Sequence, residues 1–199
     1  MTRALSMFGP VIVVVALFTP SAAAAPITFE GPIDSELITD QFADLGVTFE
    51  NAIISTYEIS INAFDWDPVQ SGVNALSDFG GVMRVLFDAP VARFSAFFGY
   101  AEQLTLQAYL NGIAVVDLLA MTQFESNDFF SGNAANEFVL LEGLFDEVQI
   151  AGTSGFFGVF FLDDLEFTAA PPAAVPEPGS LILMTLGAAG VLLRRRRSG

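Results

Sequence analysis

The sequence predicts an all-β protein: an antiparallel two-sheet β-sandwich of jelly-roll type, with an N-terminal signal peptide and one short C-terminal transmembrane helix. Three observations predict it. Between Pro26 and Thr168 apolar residues recur with a period of two, no window there carries a capped helical stripe, and turn-forming residues separate the alternating runs. At 199 residues, 53% apolar and 15% charged, with a mean hydropathy of +0.57, the chain holds one well-filled core plus tails.

The first strands are expected at 26–30, 46–52 and 57–62. Further on, Met83, Val85 and Phe87 alternate with Arg84 and Asp88, and Phe94, Ala96, Phe98 and Tyr100 alternate with Arg93 and Ser95. Leu104, Leu106, Ala108 and Leu110 alternate with Thr105, Gln107 and Tyr109. Each stretch reads as a half-buried strand, since side chains of a strand alternate between faces. Asn111-Gly112 tolerates positive φ at both positions, as a type I′ turn demands, so 104–110 and 113–119 should form a hairpin. Strands are also expected at 137–142, 146–151 and 157–168. Eight to eleven short strands favour a sandwich, which limits exposed edges, over an up-and-down barrel. The 21 phenylalanines are its filling.

The two ends read as addresses. Arg3, the apolar run 11–18 and the small residues 21–25 form a signal peptide, 1–24, cut by signal peptidase after Ala24. The folded domain is then 25–168, followed by a Pro/Ala linker, 169–175, and a tail, 176–199. In the tail an apolar helix, 180–193, precedes Arg194, Arg195, Arg196 and Arg197. Such a rod of about 15 residues measures roughly 22 Å, against a hydrocarbon core of roughly 30 Å, so it spans only by thinning the bilayer or recruiting flanking residues. Arginines at one end of a span stay cytoplasmic, which places the body outside.

The composition excludes several chemistries. There is no histidine, cysteine or lysine, so thiolate and imidazole nucleophiles, their metal sites, disulfides and Schiff-base lysines are all unavailable. All 23 carboxylates lie between Glu30 and Glu177, where the only arginines are Arg84 and Arg93. So acidic a body repels nucleic acid and attracts divalent cations.

Val175, Pro176, Glu177 and Pro178, the short apolar helix and the arginine cluster together resemble the PEP-CTERM sorting tail of exopolysaccharide-producing Gram-negative bacteria. The resemblance implies recognition of this motif by an exosortase, a membrane transpeptidase-like partner. It also implies at least transient anchoring in the inner membrane, then delivery to the cell surface or extracellular matrix. Ile27-Thr28-Phe29-Glu30, Thr39-Asp40-Gln41-Phe42, Leu45-Gly46-Val47-Thr48-Phe49 and 161–167 are similar to the jelly-roll domains carried by many PEP-CTERM proteins, which look like carbohydrate-binding modules.

Two candidate sites follow. In the last strand Asp163 shares parity with Phe161, Leu165 and Phe167, whereas Asp164 shares parity with Glu166. A carboxylate on an apolar face must be neutralised, hydrogen-bonded or bound to a cation. Ca²⁺ suits oxygen ligands in a body without His or Cys, so Glu30, Asp163 and Asp164 are expected to hold a structural Ca²⁺ between the first and last strands. Modules of the resembled kind often carry such an ion there. The competing reading has the same groups capping backbone amides or ending a solvated strand. The second site is Asp65, Trp66 and Asp67, where the only tryptophan, flanked by acceptors, offers a platform for a sugar ring; the alternative is a packing residue of the loop. Adjacent carboxylates such as Asp146-Glu147 and Asp163-Asp164 invite a glycosidase reading, yet neighbours on a strand point to opposite faces. The expected function is therefore a non-catalytic surface or matrix protein that needs no cofactor beyond a structural Ca²⁺ and binds extracellular polysaccharide. A carbohydrate-active enzyme and a passive envelope component are the alternatives.

Overall fold

The computed structural model describes residues 25–61, 69–127, 130–152 and 160–171. Within them lie nine strands: β1 (Leu37–Ile38), β2 (Val47–Glu50), β3 (Ala52–Thr56), β4 (Asn74–Asp78), β5 (Met83–Tyr100), β6 (Leu104–Leu110), β7 (Ile113–Met121), β8 (Glu137–Gly152) and β9 (Phe160–Ala169). A 3-10 turn at Ala43–Leu45 is the one helical piece among the described residues. Every strand pair is antiparallel.

The expected sandwich is present, with its two layers continuous through the long strands β5 and β8. The Met83 end of β5 pairs with β2 and with the Gly152 end of β8, which leads through β6 to β7. The Tyr100 end of β5 pairs with the Glu137 end of β8 and with β9, which leads through β4 and β3 to β1. The crossing between layers falls beside Pro90. Partners along β5 and β8 jump there from Leu86↔Glu147 to Val91↔Phe145, so 87–90 stand against Asp146 alone. Proline offers no N–H to a ladder and is tolerated where the ladder is interrupted; the extra residues bend the strand.

Folding the sheet over encloses one core. Phe49, Val85, Leu106 and Ile150 from one layer meet Phe94, Phe98, Leu141 and Leu162 from the other in a single buried cluster. Each such side chain contributes about 1.5–3 kcal/mol on burial, which is what holds the layers together. A smaller cluster of Ile61, Ala75 and Phe161 lies apart from it.

Several expectations are corrected. The strand expected at 26–30 reduces to a bridge between Ile27 and Leu165, because Phe29 adopts φ 60° and turns the chain away. Residues 57–60 form a turn with Glu58 at φ 63°, and the strand lies earlier, at Ala52–Thr56. β4 shows no alternation because Asn74, Ala75, Leu76 and Ser77 are all buried: Leu76 belongs to the main core and Ala75 to the small cluster. The runs 83–88 and 93–100 are one strand, as are 137–142 and 146–151. The hairpin is as predicted: Leu110 pairs with Ile113, and Asn111 and Gly112 sit at φ 51° and 76°.

The parity expected for the last strand fails at one residue. Asp164 adopts φ 49°, and partners along β5 and β9 jump from Ser95↔Glu166 to Phe97↔Asp163. This bulge turns Leu165 and Phe167 into the main core beside Phe160 and Leu162, while Phe161 joins the small cluster. The signal peptide 1–24 and the tail 176–199 lie outside the described residues. No helix among the described residues is long and apolar enough to cross a membrane.

Candidate functional site

Glu30, Asp163 and Asp164 do converge, and they converge on a stretch of main chain. Glu30 Oε1 accepts hydrogen bonds from the N–H groups of Val73 and Asn74, both at 2.9 Å. Asp163 Oδ2 accepts from the Ser71 N–H at 2.8 Å, and its Oδ1 from the Asp164 N–H at 2.7 Å. The Ser71 hydroxyl donates to Asp164 Oδ1 at 2.6 Å. Carboxylates from both ends of the folded body thus clasp residues 71–74. In this arrangement Glu30 and Asp163 cap main-chain amides and Asp164 accepts from a hydroxyl.

Two residues that sequence reasoning missed make the clasp possible. Gly72 sits at φ 64°, and a Cβ there would stand 2.2 Å from the Glu30 carboxyl carbon, so glycine is required twice over. Asn74 is buried; its Nδ2 donates to the carbonyls of Phe29 at 3.1 Å and Pro32 at 3.0 Å, and its Oδ1 accepts from the Thr56 hydroxyl at 2.7 Å. The Ser71-Gly72 pair is a turn signal in the sequence, but nothing local says that Glu30, some forty residues away, closes over it.

Asp163 is fully buried. Burial pushes its carboxyl up to about 6 against the pull of the Ser71 and Asp164 amides, and the charge of Asp164 adds to the rise. No group of three or more Asp, Glu, His or Cys among the described residues stands close enough to hold a metal ion. A Ca²⁺ ion bound by Glu30, Asp163 and Asp164 would therefore have to take the place of main-chain amides.

The other carboxylate pair is separated by its strand. Asp146 accepts from the Asn111 N–H with both oxygens, at 3.1 and 2.9 Å, and so braces the β6–β7 hairpin. Glu147 is buried and accepts from Arg84 Nε at 2.7 Å and Gln149 Nε2 at 2.7 Å, while Arg84 Nη1 donates to Glu50. The guanidinium holds the Glu147 carboxyl below its ordinary value. Asp65, Trp66 and Asp67 lie outside the described residues, between the buried Ile61 and Val69, which packs on the small cluster. Val175, Pro176, Glu177, Pro178 and Arg194 to Arg197 also lie outside them.

No curated protein matches the chain. Among solved structures it is similar to the K2 cleaved adhesin domain of Lys-gingipain, with 12% identity, a TM-score of 0.46, and coverage of 72% of this chain and 98% of that one. It is also similar to the Stig cyclase Fisc from Fischerella sp. TAU, with 10% identity, a TM-score of 0.44, and coverage of 75% and 99%. The Agl-KA catalytic domain is similar at 13% identity and a TM-score of 0.36, with coverage of 81% and 31%. Likeness at these levels carries no functional argument. The informative match is at the far end of the chain: residues 174–197 match the PEP-CTERM protein-sorting motif. This tail marks an exported protein that passes through membrane-associated sorting by an exosortase.

Proposed function

We propose that the protein is a non-catalytic component of the cell surface or extracellular matrix of a Gram-negative bacterium, whose acidic sandwich binds extracellular polysaccharide once the tail has delivered it. The observation that carries this reading is the sorting motif at 174–197, set after a body that closes its own core and ends at Ala169. The Pro/Ala-rich residues 169–175 supply the spacer an external protease or transpeptidase needs to reach its site. The leader 1–24 supplies the export step and is removed by signal peptidase. The test is to fractionate producing cells and read both termini of the mature chain by mass spectrometry. The reading requires a start near Ala25 and loss or modification of the tail, and a cytosolic chain running from Met1 to Gly199 overturns it. Incubation with the native polysaccharide separates the alternatives: retention without new reducing ends supports binding, release of reducing ends makes the protein an enzyme, and neither makes it a passive envelope component.

A second reading adds Ca²⁺ at Glu30, Asp163 and Asp164. What supports it is the convergence of three carboxylates on residues 71–74, with no ion pair from any of them to an arginine among the described residues. Calorimetric titration with CaCl₂ tests it: heat and a raised melting temperature are expected, and the absence of both removes the ion.

A further inference from the structure

One side of the sandwich is open in both layers. β7 pairs only with β6 and ends its layer. In the other layer, residues 137–145 of β8 pair with β5, and no ladder among the described residues lies on their second side, since β6 joins β8 only from Glu147 onward. The two open edges lie side by side: a Cβ on Gly143 of β8 would stand 2.5 Å from the Leu118 side chain of β7. Open edges present unpaired N–H and C=O groups, and proteins ordinarily guard them with lysine, proline or inward charge. This chain has no lysine, and neither edge contains proline.

Instead the open side carries exposed apolar side chains on both layers. Val116 is 84% exposed, Leu119 53% and Met121 51% on β7; Phe138 is 49%, Leu140 40% and Leu144 50% on β8. They flank the two edges on the outer faces of their layers, since Leu118, Ala120, Val139 and Leu141 between them pack into the core, so edge-to-edge association sets each layer's exposed apolar side chains against their own counterparts as cross-strand neighbours. The ionisable residues on the two edges are Asp117, Glu137 and Glu142, and Glu137 is already engaged by the Tyr100 hydroxyl and the Gln123 N–H. The rest of so acidic a body repels any anionic neighbour, including another copy of itself, so the sparsely charged open side is where two copies can approach.

We propose that two copies of this chain associate through the open side formed by β7 and residues 137–145 of β8. Strand edges are complementary to themselves in the antiparallel sense, and a two-fold axis normal to the layers brings both edges of one copy against both edges of the other. On β7 the bulge between its pairs with Gln107 and Tyr109 bends the middle of the strand, so regular pairing falls at Leu119, Ala120 and Met121.

The absence of cysteine makes the test clean. Leu119→Cys and Leu140→Cys are introduced separately into the full chain in producing cells, which are then treated with a short bismaleimide; Leu37→Cys on β1, an exposed position on another edge, is the control. Expected is at least a tenfold higher yield of a species of twice the chain mass from either open-side variant than from the control. Loss of that species in a Leu119→Cys chain also carrying Leu140→Lys, with its β-sheet circular dichroism intact, completes the support. An unlinked chain overturns the proposal. So does equal linking of the control, or an adduct of any other mass, which would mean that a different partner covers this side.

Discussion

Asp163 and Glu147 are both buried carboxylates of one arginine-poor body, and their surroundings drive them in opposite directions. Glu147 faces Arg84, whose guanidinium keeps it ionised below the ordinary value. Asp163 receives main-chain amides, and burial outweighs them, raising it to about 6. Amides satisfy the geometry of a buried carboxylate without fully compensating its lost hydration, whereas an adjacent cation does both.

The largest way to break this contrast is Arg84→Met. It leaves Glu147 buried without a cation and should cost about 3 kcal/mol in urea unfolding at pH 7, with the Glu147 carboxyl rising in NMR titration. A loss under about 0.5 kcal/mol would show that the pair is solvated and the contrast unreal. Next is Gly72→Ala, expected to cost about 2 kcal/mol from strain at positive φ and collision with Glu30. In a Glu30→Ala background the same substitution should add only about 1 kcal/mol, and full additivity would separate Glu30 from Gly72.

Asp163→Asn sharpens the comparison through pH. Its folded value near 6 lies above the ordinary 3.8, so the folded state binds the proton more readily, and this group makes the protein more stable as pH falls through 6 toward 3.8. By linkage the interval is worth up to about 3 kcal/mol. Glu147 acts the other way: its folded value is lowered from 4.5, so its contribution is present above pH 4.5 and lost as acid passes the depressed value. Asp163→Asn should therefore remove the gain between pH 6 and 4, read from unfolding curves, while the NH2 that replaces one of its two accepting oxygens costs about 1–3 kcal/mol at every pH. Persistence of the pH 6 to 4 gain in the variant would place that titration on a group other than Asp163. The smallest effect is expected for Asp146→Ala, about 0.5–1 kcal/mol, since the Asn111 N–H it accepts from is exposed and can turn to water.

What the sequence made legible was what is local. The Asn111-Gly112 turn is encoded in two adjacent residues, and the alternation of 104–110 in seven, and both appear as read. The runs 83–88 and 93–100 read as two strands; that they are one, crossing between layers beside Pro90, depends on partners in β8. The face of Asp163 was legible from Phe161, but the positive φ of Asp164 inverts everything after it, and an aspartate announces no such turn. The site was half visible for the same reason. An acid among apolar neighbours advertises that it needs a partner, but whether that partner is Ser71 or an ion is fixed by a contact spanning 92 positions.

The bridge between Ile27 and Leu165 has one more consequence. Ile27 and Leu165 exchange main-chain hydrogen bonds at 2.8 and 3.1 Å, which ties the segment ahead of β1 to the last strand. The two outer segments of the sandwich therefore meet at one pole, and a pull applied through both loads this shared contact before it reaches the core.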